Sequence, residues 1–171
     1  MKSVNRKLKK LSALLKERDL PSESTAVSWL LKEEPEDLGL EKKLSDQSLS
    51  ENFSLYEFSC KDKNKTPVPE KYLNNIKELA KNLEIIRSEF NKPIHIISGY
   101  RTPEYNKSIG GATKSQHMLG KAADIRINGI TSEEIKDVIL KLIDEGKISQ
   151  GGVGSYSSFV HYDVRGVKAR W

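Results

Sequence analysis

One cysteine, three histidines and two tryptophans are all that this 171-residue chain contains of those types. A single cysteine, Cys60, excludes an internal disulfide and any thiolate-based zinc site, and is expected as a small core residue. No apolar run approaches the ~18 residues of a membrane-spanning helix. The basic N-terminus holds no uninterrupted apolar segment and no cleavage site, so no secretory signal is expected. The expectation is therefore a protein made in the cytoplasm, without a membrane span.

Acidic charge is scarce at one end only. Residues 1–20 carry seven Lys or Arg against Glu17 and Asp19, which accounts for the whole net charge of +5. The other 151 residues are formally neutral, so the main domain offers no general surface for polyanions and no specific nucleic-acid partner is expected.

Val4, Leu8, Leu11, Leu14 and Leu15 recur at helical spacing, "DLPSES" breaks the chain, and Ala26, Val27, Leu30 and Leu31 line a second short helix. Residues 1–34 thus read as a basic helical hairpin. Helices this short need a surface to pack on, either the main domain or a protein partner. Residues 35–51, charged and broken by Pro35 and Gly39, read as a linker. Residues 52–171 form the main domain.

There, "PEKYLNNIKELAKNLEIIRSEF" (69–90) puts Leu73, Ile76, Ala80, Leu83 and Ile86 on one helical face behind Pro69. "KPIHIIS" (92–98) and "AADIRI" (122–127) read as strands. "TSEEIKDVILKLIDEGK" (131–147) opens on a Thr131…Glu134 capping box and closes at Gly146. "GGVGSY" and "SFVHYDVRG" read as two closing strands, joined tightly enough to be antiparallel. The fold class is α+β, with a mainly antiparallel sheet flanked by helices.

Chemistry concentrates in two stretches. "KSQHMLGKAADIRI" (114–127) delivers His117 and, past Gly120, Asp124 at the start of a small apolar run. A buried carboxylate there costs several kcal/mol unless it is paired or bound to a metal. In "SFVHYDV", alternation sets Phe159, His161 and Asp163 on one strand face. His117, Asp124 and His161 together would make a two-nitrogen, one-oxygen set with a fourth position open, the make-up of a catalytic zinc site, although the ligand types admit other divalent metals. A hydrogen-bonded core histidine is the competing reading of each imidazole. His95, between Ile94 and Ile96, reads as structural.

The stretches "SGYRTPEYN" (98–106), "GGATKSQHMLGKAADIRI" (110–127) and "GGVGSYSSFVHYDVRGVKARW" (151–171) resemble, in order and spacing, the zinc D-alanyl-D-alanine carboxypeptidase family, which shares its fold with murein endopeptidases and the hedgehog signalling domain. The pattern Ser-x-His-x-x-Gly-x-Ala-x-Asp is complete in Ser115, His117, Gly120, Ala122 and Asp124. The resemblance implies that His117, Asp124 and His161 bind zinc and that Arg101 faces the substrate; Tyr100 is a further substrate-binding candidate, and Ser115 is expected to donate to a substrate carboxylate or to orient a ligand. Arginine's planar fork suits a carboxylate or carbonyl. Many relatives carry an acid three residues before the last histidine; here that position is Ser158, which cannot act as a base. Asp163 is the nearest replacement, either as general base or as a carboxylate that orients His161. The implied function is a zinc peptidase acting on peptidoglycan stem peptides, as carboxypeptidase or endopeptidase, in a phage lysin or virion-associated enzyme that meets the cell wall after lysis or from the particle. The alternative is a non-catalytic, zinc-stabilised binding module.

Overall fold

The computed structural model describes residues 47–171, and the hairpin expected over 1–34 lies outside them. Part of the expected linker is already tied to the domain. Ser48 bridges Ser54, Leu55 donates its backbone N–H to the Gln47 carbonyl (3.0 Å), and Leu49 packs on the core.

Helix α1 (Leu73–Phe90) follows a 3-10 turn at Glu70–Tyr72, so it starts one turn later than Pro69 suggests. It buries Ile76, Leu79, Ala80, Leu83 and Ile86, and Asn91 ends it in the left-handed region (φ 47°). Strand β1 (Ile94–Ser98) leads to a short helix α2 (Pro103–Ser108), capped by Thr102, which accepts the Tyr105 N–H. A 3-10 turn at Gln116–Leu119 precedes strand β2 (Ala122–Ile127). Helix α3 (Ser132–Asp144) has the expected capping box: Thr131 Oγ1 accepts the Glu134 N–H, and the Glu134 carboxylate accepts the Thr131 N–H. Strands β3 (Gly152–Ser155), β4 (Val160–Asp163) and β5 (Ala169–Arg170) complete the chain. The brief α2 and β5 are too short to show a periodic pattern in sequence.

The five strands stand in the order β1-β2-β4-β3-β5, all antiparallel except β3 with β5. Ala123, Ile125, Val153, Val160 and Tyr162 turn one face of the sheet into the hydrophobic core, where α3 packs on β2, β3 and β4 and α1 packs on α3. Burial of these apolar side chains is the main stabilising term, at ~25 cal/mol per Å². Period-two alternation sends Ala122, Asp124, His161, Asp163, Gly152 and Gly154 to the opposite face. The chemistry-bearing residues are therefore side by side on the face opposite the one that packs on α3. A bulge between Ile96 and Ser98 brings Ser98 opposite Asp124 at the edge of the same layer.

Candidate metal centre

Register alone places Asp124 beside His161, because the two are direct partners across β2 and β4. His117 reaches them from the 3-10 turn over that face. Gly120 ends the turn at φ 63°, where a side chain would be strained and would also crowd Tyr72 and Ile76 of the α1 region. The Arg101 backbone N–H donates to the His117 carbonyl (3.2 Å), so the loop after β1 and this turn are held together.

The three side chains converge closely. His117 Nε2 lies 3.2 Å from His161 Nδ1 and 3.2 Å from Asp124 Oδ1, and His161 Nδ1 lies 3.0 Å from the same oxygen. All three residues are buried. Their outer partners bear on where the protons sit. His117 Nδ1 lies 2.7 Å from the Gly99 carbonyl, which can only accept, so the N–H is there and Nε2 carries a lone pair. His161 lies 3.0 Å from a carboxylate at each nitrogen, Nε2 at Asp163 and Nδ1 at Asp124; with its N–H on the Asp163 side, Nδ1 carries a lone pair.

With both imidazoles neutral and both protons on these outer sides, three lone pairs face one another with no proton between them. That arrangement is repulsive unless a cation sits among them. A tetrahedral zinc with ~2.0 Å bonds has ligand-to-ligand edges of about 3.3 Å, close to the three edges here. The residues fit the metal.

The surrounding charges act differently on the three groups. Burial alone would raise the Asp124 carboxyl, but the His117 and His161 rings hold it well below the ordinary range. Arg101 adds an ion pair from Nη2 to Asp124 Oδ2, and its Nε donates to Ser98 Oγ (2.8 Å). Burial lowers the His117 pKa. Burial also opposes the charge on His161, yet the carboxylates of Asp124 and Asp163 win and raise its pKa.

A family model described as Peptidase M15 matches residues 51–163. The chain belongs to the M15 peptidase family. It is 40% identical over 80 residues to the peptidoglycan L,D-endopeptidase MepK of Escherichia coli (strain K12), a match covering 43% of this chain and 41% of that protein. The probable peptidoglycan L,D-endopeptidase MepK of Haemophilus influenzae is 35% identical over 85 residues, covering 46% of this chain and 42% of its own. The matched region thus spans about two fifths of the length of these relatives.

Other residues singled out in this M15 domain fall in distinct places. Asp163 is fully buried (0% exposed). Besides His161 it accepts from the Gly152 N–H (3.0 Å), the Arg165 N–H (3.1 Å) and the Arg165 guanidinium (Nη2, 2.6 Å), so both oxygens are engaged. Tyr100 is 6% exposed, because its N–H is tied to the Phe58 carbonyl (2.8 Å) and its ring packs on Tyr72. Ser115 is half-buried at the start of the His117 turn, and its hydroxyl has no hydrogen bond among the described residues. Ser158 is exposed in the bend between β3 and β4. His95 is exposed on β1 and Cys60 is buried in the core.

Sequence reasoning passed over Ser98, the Gly99 carbonyl, Arg165 and Trp171. The run "GGVG" was the available signal. A Cβ on Gly152 would collide with Asp163, and one on Gly154 with the Trp171 indole, so these glycines leave the site face of β3 bare for both.

Proposed function

We propose that this chain is a zinc-dependent peptidase that hydrolyses peptide bonds in peptidoglycan stem peptides, with His117, Asp124 and His161 as the metal ligands. The observation that carries the reading is the convergence of three buried ligand atoms, His117 Nε2, Asp124 Oδ1 and His161 Nδ1, at 3.0–3.2 Å on one face of the sheet. Membership of the M15 family and likeness to proteins named peptidoglycan L,D-endopeptidases support the substrate class and favour internal over terminal cleavage.

When bound, zinc would polarise the scissile carbonyl and lower the pKa of a bound water to about 7. The chain's own residues hold that site in shape. Asp163 serves as the carboxylate that orients His161 rather than as the base, since both its oxygens are already occupied on the far side of the ring. Arg101 balances the Asp124 charge and keeps its Nη1 free of hydrogen bonds to described residues, available to a substrate carbonyl or carboxylate. Ser115 offers its hydroxyl from the adjacent turn. Tyr100 anchors the loop to Phe58 and Tyr72. A hedgehog-like fold and release at the wall by lysis or from a virion belong to the same reading, on the sequence resemblance alone.

The saturated Asp163 and the serine at position 158 favour one second reading, a zinc-stabilised module that binds the wall without cutting it. Mass spectrometry of muropeptides separates the two. Zinc-loaded protein incubated with purified peptidoglycan, beside a chelated control, is expected to release new peptide termini in a metal-dependent way. Intact muropeptides across several wall chemistries, with zinc confirmed bound, would reject the peptidase and leave the module.

A further inference from the structure

One layer of the sheet contains an aromatic residue that the ligand set does not explain. Gly154 is the direct partner of His161 across β3 and β4. On its other side, Trp171 donates its N–H to the Val153 carbonyl (3.3 Å) and accepts the Ser155 N–H (3.2 Å), which places it next to Gly154. Because Gly154 has no side chain, the Trp171 indole lies across it and approaches the His161 ring, 5.1 Å between centroids.

The indole is fixed on two further sides. Its Nε1 donates to the Tyr156 hydroxyl (2.8 Å), and the Arg165 guanidinium carbon sits 5.8 Å from the ring. Tyr156 is itself stacked on Phe159, 4.5 Å between centroids. A large apolar ring held this firmly would normally be covered, yet Trp171 is 47% exposed and Tyr156 is 44% exposed. Preorganised aromatic surface beside a reactive centre binds a ligand at low entropic cost.

We propose that Trp171 is a specificity-determining residue, forming with Tyr156 the wall of a subsite that packs on the aliphatic side chain of the stem-peptide residue next to the scissile bond. This rests on the peptidase reading above. The wall lies on the β3–β5 side of the metal ligands, and Arg101 lies on the β1–β2 side, so a peptide crossing the open face would meet the cation on one flank and the indole on the other.

Steady-state cleavage of cross-linked muropeptides by wild type, Trp171→Ala and Trp171→Phe, with zinc content measured for each, tests the assignment. Trp171→Ala is expected to raise KM about tenfold, as loss of one buried apolar contact would, with kcat within about threefold and zinc content unchanged. Trp171→Phe should recover most of the loss. An unchanged KM overturns the subsite, and so does a loss of zinc in the alanine variant, which would make the indole only a prop for His161. If wild type itself cleaves nothing, the peptidase reading fails separately, and indole fluorescence still decides the subsite. In a Trp29→Phe chain Trp171 is the sole tryptophan. A sugar-free stem tetrapeptide should then shift its emission saturably. No shift, or a shift only with the disaccharide-bearing form, overturns the peptide assignment.

Discussion

The Asp163 carboxylate meets His161 at Nε2, 3.0 Å away, while Nδ1 of the same ring faces Asp124 and His117. One imidazole is thus held between the Asp163 carboxylate and the cluster that could hold a metal. Partners of this kind typically contribute 10–100-fold to metal affinity. Asp163→Asn keeps the shape but weakens the acceptor, so zinc affinity, measured by competition with a chelator, should fall by about that factor. Undiminished affinity together with lost turnover would make Asp163 the base instead.

Gly99 carries a second constraint of the same kind. Its carbonyl accepts the His117 Nδ1 proton, and a Cβ at this position would lie 2.7 Å from the Phe58 backbone, which has nowhere to move. Gly99→Ala should cost about 1–3 kcal/mol in denaturant unfolding and weaken zinc binding as well. At Gly154 the atoms nearest an added Cβ belong to the Trp171 side chain rather than to backbone. Gly154→Ala should cost less stability and leave zinc binding intact while displacing Trp171. Equal costs at the two positions would contradict this account of the bare strand face.

Much of this organisation is legible in the sequence because it follows from periodicity. The apolar repeat of 73–90, the capping box at Thr131 and the alternation in "SFVHYDV" depend on near neighbours, and they correspond to α1, α3 and β4. The pairing of Asp124 with His161 depends on strand register, which no local pattern encodes. The expectation of a substrate-side Tyr100 likewise could not anticipate Phe58 and Tyr72, which bury it from distant parts of the chain. Trp171 is the clearest case, because its position depends on Gly154, seventeen residues away, and on a two-residue strand.

Metal removal should be felt by the whole domain. A ligand at 1,000 times its dissociation constant stabilises the folded state by about 4 kcal/mol. Chelation of zinc-loaded protein should therefore lower Tm by on the order of 10 °C in a scanning calorimeter. Asp124→Ala removes one proposed ligand and strands Arg101, so its Tm should be low from the start and should not respond to added zinc. A zinc response as large as that of wild type would take Asp124 out of the site.

The most direct test of the central claim is an anomalous difference map at the zinc edge from crystals of the zinc-loaded chain. The account predicts one strong peak within bonding distance of His117 Nε2, Asp124 Oδ1 and His161 Nδ1. A map with no peak there, or with zinc held by other residues, would contradict it.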